Sequence, residues 1–118
     1  GITVFRSMLR YIADEGLPHR ITLVYSNRDR ESTAFLDELR ELEQALPDFR
    51  LILTMTQDPG WEGETRMVDG DFVKDYLGED LNRYTFLVAG PPAMADAVQK
   101  MLVGRGVPQD QVHFDQFY

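Results

Sequence analysis

The chain reads as an α/β protein, with a mainly parallel sheet sandwiched between two layers of helices. Three observations predict this. Helical and strand patterns alternate along the chain in the order α-β-α-β-α-β-α-β. The strand segments are continuous apolar runs, the mark of strands buried on both faces. The helical segments carry an apolar stripe on one side only. Strands joined through helices take right-handed crossovers and so lie parallel.

Taken in order, Phe5, Met8, Leu9 and Ile12 recur at spacings of three and four and mark a first helix, which Gly16 and Pro18 stop. Ile21 to Tyr25 is a short β-rich run, and Ser26-Asn27-Arg28-Asp29 is the polar turn after it. Phe35, Leu36, Leu39, Leu42 and Leu46 form the stripe of a second helix ended by Pro47. Leu51 to Met55 is the next strand. The stretch Gln57-Asp58-Pro59-Gly60-Trp61-Glu62-Gly63 is irregular, because glycine and proline exclude a long element there. A short helix is expected from Asp71 to Leu77, with Phe72, Val73, Tyr76 and Leu77 inward. Tyr84 to Ala89 is a third strand. Gly90-Pro91-Pro92 turns it into a helix with Pro92 near the first helical position. Met94, Ala97, Val98, Met101 and Leu102 are that helix's apolar face, and Val112 to Phe117 is a last strand.

Composition narrows the function classes. The 118 residues suit one small domain. A net charge of −8 argues against a nucleic-acid partner, which needs clustered Lys and Arg. There are no cysteines, so disulfides and thiolate metal sites are excluded, and His19 and His113 lie too far apart in sequence to make a convincing metal site. No apolar run approaches the roughly 20 residues of a membrane span, and no signal peptide is recognisable. The cytoplasm is the expected compartment. His19 and His113 read as surface residues, Trp61 as a packing plug, and the acidic run from Asp37 to Glu43 as a solvated helix face.

In a doubly wound sheet, ligands bind beyond the carboxyl ends of the strands. Three turns are therefore candidate binding elements. Gly1-Ile2-Thr3 precedes a helix whose free N–H groups and dipole favour a phosphate, although on these residues alone an ordinary capped helix start is the better reading. Ser26 and Arg28 stand where such folds meet an adenosine ribose. With no acid at the strand end, they lean toward a 2′-phosphate, hence NADP rather than NAD. Asp29 fits a cap for the next helix. Ala89-Gly90-Pro91-Pro92-Ala93-Met94 is a rigid turn with little side-chain bulk, open to a pyrophosphate or a nicotinamide. A flavodoxin-like regulator would need a phosphoacceptor with acidic neighbours, and Asp58 has none in sequence.

These residues resemble a known family. Gly1-Ile2-Thr3 followed by Phe5-Arg6-Ser7-Met8 looks like the end of the G-x-G-I-T-P-x-R-S-M segment of ferredoxin–NADP reductase-like oxidoreductases. Leu23-Val24-Tyr25-Ser26-Asn27-Arg28 is similar to that family's second strand and ribose turn. Trp61-Glu62-Gly63-Glu64 resembles its tryptophan–glycine loop. Val88-Ala89-Gly90-Pro91-Pro92-Ala93-Met94 resembles its C-G-P-P-x-M motif, and Phe114-Asp115-Gln116-Phe117 its closing acidic-x-aromatic segment. Together these span essentially the whole chain, in order.

The resemblance implies a Rossmann-like, three-layer αβα domain over residues 1–118 that binds NADP or NAD and passes hydride to FAD or FMN on a separate β-barrel domain. Electrons then leave to an iron–sulfur protein, a haem or another acceptor. It implies that Gly1 and Thr3 face pyrophosphate and nicotinamide, and that Ser26 and Arg28 meet the ribose or its phosphate. Gly90, Pro91, Pro92 and Met94 would line the nicotinamide side. Asp115 and Phe117, or Tyr118, would lie near the flavin. Two departures stand out: Val4 replaces the family's proline and Ala89 its cysteine. The family's first strand and most of its glycine turn would precede Gly1. The chain is therefore expected to be a fragment lacking the flavin domain, or to borrow that strand, and loss of a central strand should leave buried edges unpaired. Alone it should bind nucleotide without turnover. A non-catalytic nucleotide-sensing or interaction module is the alternative.

Overall fold

The computed structural model describes residues 2–68, 72, 75–76 and 84–116, with 115 and 116 described by backbone alone. The elements are α1 (Ile2–Glu15), β1 (Ile21–Asn27), α2 (Leu36–Ala45), β2 (Phe49–Met55), β3 (Thr85–Gly90), α3 (Pro92–Gly104), a 3-10 turn (Gln109–Gln111) and β4 (Val112–Gln116). The four strands are all parallel and lie in the order β2-β1-β3-β4.

Strand alternation divides the core in two. Ile21, Leu23 and Tyr25 of β1, with Leu87 and Ala89 of β3, pack under Ile2, Phe5, Leu9 and Ile12 of α1 and Leu39 and Leu42 of α2. Val24, Phe86 and Val88 point the other way and pack under Met94, Ala95, Val98 and Leu102 of α3. The sheet is thus covered on both faces, as its unbroken apolar strands require. Each fully buried Leu, Val or Phe contributes about 1.5–3 kcal/mol of transfer free energy. Helix α1 ends where Gly16 takes φ 63°, and Leu17 N donates to Ile12 O at 3.1 Å. That left-handed turn closes the helix and favours glycine.

Several expectations change. Strand β1 runs two residues further than its apolar run, because Ser26 and Asn27 pair with Thr54 and Met55 of β2. Met8 is 37% exposed, since four buried residues of α1, Ile2, Phe5, Leu9 and Ile12, already fill the groove over the sheet. Phe35 lies outside the α2 stripe, at φ 61° and 36% exposed, where the turn enters the helix. In α3, Ala95 takes the buried place expected of Ala97, closer to the first turn's contact with β3. Of the helix expected at Asp71 to Leu77, Phe72 is buried, while Tyr76 faces out and its hydroxyl bonds to Glu64. Asp71, Val73 and Leu77 lie outside the described residues.

Among the described residues, the expected unpaired edges are not found between β1 and β3. β1 pairs with β2 on one side, and Ile21 to Tyr25 pair with Thr85 to Ala89 of β3 on the other. The two parallel backbones satisfy each other directly.

Candidate functional site

The strand order has one switch point. From β1 the chain crosses outward to β2, and from β3 outward to β4, so the connections diverge between β1 and β3. A crevice opens at the carboxyl ends of such a pair. It is present here as a cavity of about 760 Å³, bordered by the ends of β1 and β3, the start of α1, the β1–α2 turn, the loop after β2 and the first turn of α3.

The floor lies between Ser26 and Gly90. Ser26, the last residue but one of β1, is 5% exposed. A β-carbon at Gly90 would sit 3.3 Å from Ser26 Cβ and 3.5 Å from Ser26 O, and would collide with Met94 Cε. Glycine therefore lets Met94 and Ser26 pack directly against the end of β3 beneath the cavity. Pro91 then takes φ −60° and ψ 150° at the helix boundary, and Pro92 opens α3, where its fixed φ suits the first turn. Pro91 and Met94 line the cavity, and Met94 also belongs to the α3 core.

The rim is the β1–α2 turn. Arg28 O accepts Gln57 N at 2.7 Å and Asn27 O accepts Thr56 N at 3.0 Å, tying this turn to the loop after β2. Arg30 grips Asp58 with two side-chain bonds, Nε to Oδ2 at 2.8 Å and Nη2 to Oδ1 at 3.2 Å. These bonds, opposed by partial burial, hold the Asp58 carboxyl below its usual range. The expected lone Asp58 is thus a brace for the turn. Asp29 caps Ser32 N at 2.9 Å rather than the start of α2, and that bond lowers its carboxyl. Arg30 is engaged, whereas Arg28 borders the cavity and has no ion pair among the described residues.

The predicted site residues divide clearly. Ser26, Arg28, Pro91 and Met94 meet at the cavity, with Gly90 beneath it. Thr3 is exposed inside the first turn of α1, and it is Ile2 that lines the cavity. Pro92 is half-buried in α3. Asp115 pairs with Ala89 one residue before the end of β4, and its side chain is not described. Gly1, Phe117 and Tyr118 lie outside the described residues. Ala89 is fully buried under α1, off the cavity wall. Outside its candidate turns, the sequence reading missed Ser32, Ala34, Thr56, Met67 and Val68. The strand-end rule reaches Thr56, but Met67 and Val68 arrive through loop geometry that no periodicity encodes.

Residues 1–100 match the family model of the oxidoreductase NAD-binding domain. The chain belongs to that family, the NAD(P)-binding domain of the ferredoxin reductase-like superfamily. It is 31% identical over 122 residues to the reductase component of propane 2-monooxygenase from Rhodococcus jostii (strain RHA1), covering 99% of this chain and 33% of that protein. It is 34% identical over 99 residues to a ferredoxin–NAD(P)(+) reductase from Metapseudomonas resinovorans, covering 83% of this chain and 29% of that protein. Among solved structures, the ferredoxin reductase of carbazole 1,9a-dioxygenase matches with a TM-score of 0.64 and 30% identity, covering 93% of this chain and 32% of that one. The cytochrome b5 reductase domain of Ulva prolifera nitrate reductase shares the fold, with a TM-score of 0.72 at 20% identity, over 92% of this chain and 42% of that one. The chain spans about a third of the length of the relatives it matches.

The residues present fit a dinucleotide. The cavity of about 760 Å³ has an arginine on its rim and apolar walls at Ile2, Pro91 and Met94, and a side chain at Gly90 would push Met94 into it.

Proposed function

We propose that this chain is the nicotinamide-dinucleotide-binding domain of an NAD(P)H-dependent flavin reductase, a single domain over residues 1–118 that works beside a flavin-binding domain. The observation that carries this is the cavity at the switch point of the sheet, which gathers Ser26, Arg28, Pro91 and Met94. When bound, the dinucleotide supplies a hydride to FAD or FMN. The protein supplies binding, orientation and exclusion of water.

In this reading Arg28 and Ser26 receive the adenosine ribose, and Arg28 bonds the 2′-phosphate of NADP. Gly90, Pro91 and Met94 hold the nicotinamide end against the sheet, with Pro92 fixing the turn. Gly1 and Thr3 lie toward the pyrophosphate, and Asp115 and Phe117 toward the flavin. The names of the relatives, ferredoxin reductases and an NADH–cytochrome b5 reductase among them, support an onward acceptor of the ferredoxin or cytochrome type. No helix among the described residues is long and apolar enough to cross a membrane, and we infer action in the cytoplasm.

Titration with NADPH and NADH, read by fluorescence or calorimetry, tests the proposal. Saturable binding is expected. Arg28→Ala should weaken NADPH about tenfold, the scale of one lost charge-assisted bond, and leave NADH almost unchanged. A folded protein that ignores both nucleotides at millimolar concentration would refute the proposal.

A further inference from the structure

The loop after β2 lines the cleft at Thr56, Met67 and Val68, and Glu64 organises the stretch that leads to the last two. Glu64 O accepts Met55 N at 3.1 Å and Trp61 Nε1 at 3.1 Å. Thr54 Oγ1, fully buried, lies 2.6 Å from Arg66 O and 3.2 Å from Glu64 O, so residues 64–66 are laid along the end of β2. The Glu64 carboxylate then folds back on its own chain. Oε1 accepts Thr65 N at 3.0 Å, Arg66 N at 3.0 Å and Arg66 Nε at 3.1 Å. Oε2 accepts Arg66 Nη2 at 3.1 Å and Tyr76 Oη at 2.8 Å. Arg66 continues to Asp75 at 2.8 Å and covers the Phe72 ring.

One residue later the chain enters the cleft wall. Val68 is 7% exposed and packs with Phe72 in the α3-side core. Met67 is 77% exposed and still borders the cavity. Packing does not hold so exposed a side chain. Its place follows from the backbone on either side, Val68 in the core and the Glu64 turn before it.

We propose that Glu64 is a positioning residue for the dinucleotide cleft. Its carboxylate fixes the backbone of residues 64–66 and thereby the point at which Met67 closes over bound nucleotide. The inference rests on the cleft being the dinucleotide site. It differs from a general stabilising role because it acts through one neighbour. The carboxylate accepts two backbone N–H groups and a tyrosine hydroxyl at once, which a glutamine, with one oxygen and a donating NH₂, cannot do.

A double-mutant cycle separates the two roles. Kd for NADPH is measured for the protein, Glu64→Gln, Met67→Ala and the double variant. Glu64→Gln and Met67→Ala should each weaken binding about fivefold, a typical coupling scale, and the double variant should be no weaker than either. Additive losses, or an unchanged Kd in Glu64→Gln, overturn the proposal. Should Glu64→Gln fail to fold, Tyr76→Phe removes one donor at an exposed position. It should weaken NADPH by a smaller factor, and an unchanged Kd there likewise overturns the proposal. Hydrogen exchange at the Thr65, Arg66 and Met67 amides, without nucleotide, tells the two failures apart. Faster exchange in Glu64→Gln with no nucleotide bound by the parent protein refutes the cleft reading. Unchanged exchange refutes the positioning role itself.

Discussion

Where Pro91 and Met94 meet the cleft, the wall is hydrocarbon packed on a helix and two strands. Where Met67 meets it, the wall stands on a carboxylate and its donors. The first wall inherits its position from the core, because α3 is seated on the sheet by Ala95, Val98 and Leu102. The second inherits its position from hydrogen bonds at residues that are mostly exposed. Packing yields little to pH, whereas a carboxylate turn loses its acceptor when protonated. The two walls should therefore respond to different perturbations.

The largest effect is expected beneath the packed wall. Leu102 is fully buried, so Leu102→Ala should cost about 2–5 kcal/mol of stability, read by urea or thermal unfolding. Nucleotide affinity of the remaining folded protein should barely change. A lost affinity with stability intact would break the distinction between the walls.

Next comes the floor. Gly90→Val adds bulk against Ser26 and Met94, so it should cost about 1–3 kcal/mol of stability. It should also weaken NADPH by at least about tenfold, because the displaced Met94 enters the cleft. An unchanged Kd would place the nucleotide elsewhere.

The smallest effect is the acid response of the loop wall. Bonds from Arg66, chiefly its side chain, and from Tyr76 pull the Glu64 carboxyl from 4.5 to about 2. A depressed folded pKa gives stability that is present above 4.5 and lost as pH falls through about 2. Trp61 is the chain's single tryptophan and donates to Glu64 O. Its fluorescence should therefore change between these values, and the change should be absent from that window in Glu64→Gln.

Legibility in the sequence followed the same division. The strands around Leu23, Leu53 and Leu87 and the faces of α1 and α3 are written in local periodicity, so the sheet and its helices were readable. So were Ser26, Arg28 and the Gly90-Pro91-Pro92 turn, because the strand-end rule points to them. Exceptions came where tertiary contact overrides local pattern. Phe35 sits at the turn into α2 rather than in its stripe, and Ala95 displaces Ala97. The direct pairing of β1 with β3 depends on two backbones meeting over long sequence separation, which no local signal carries. Met67 was invisible for a related reason. It reaches the cleft only because Glu64 bends the chain toward it.

The most direct test uses a second cavity as its control. At the amino end of the sheet, Leu9, Leu17, His19, Leu46 and Phe49 border a space of about 340 Å³ between the ends of α1 and α2. Amide chemical shifts recorded during NADPH titration read both ends at once. The account predicts saturable shifts at Ser26, Arg28, Gly90, Ala93 and Met67, with Leu17, His19 and Leu46 unmoved. Shifts confined to the amino-end cavity, or none at saturating nucleotide, would contradict it.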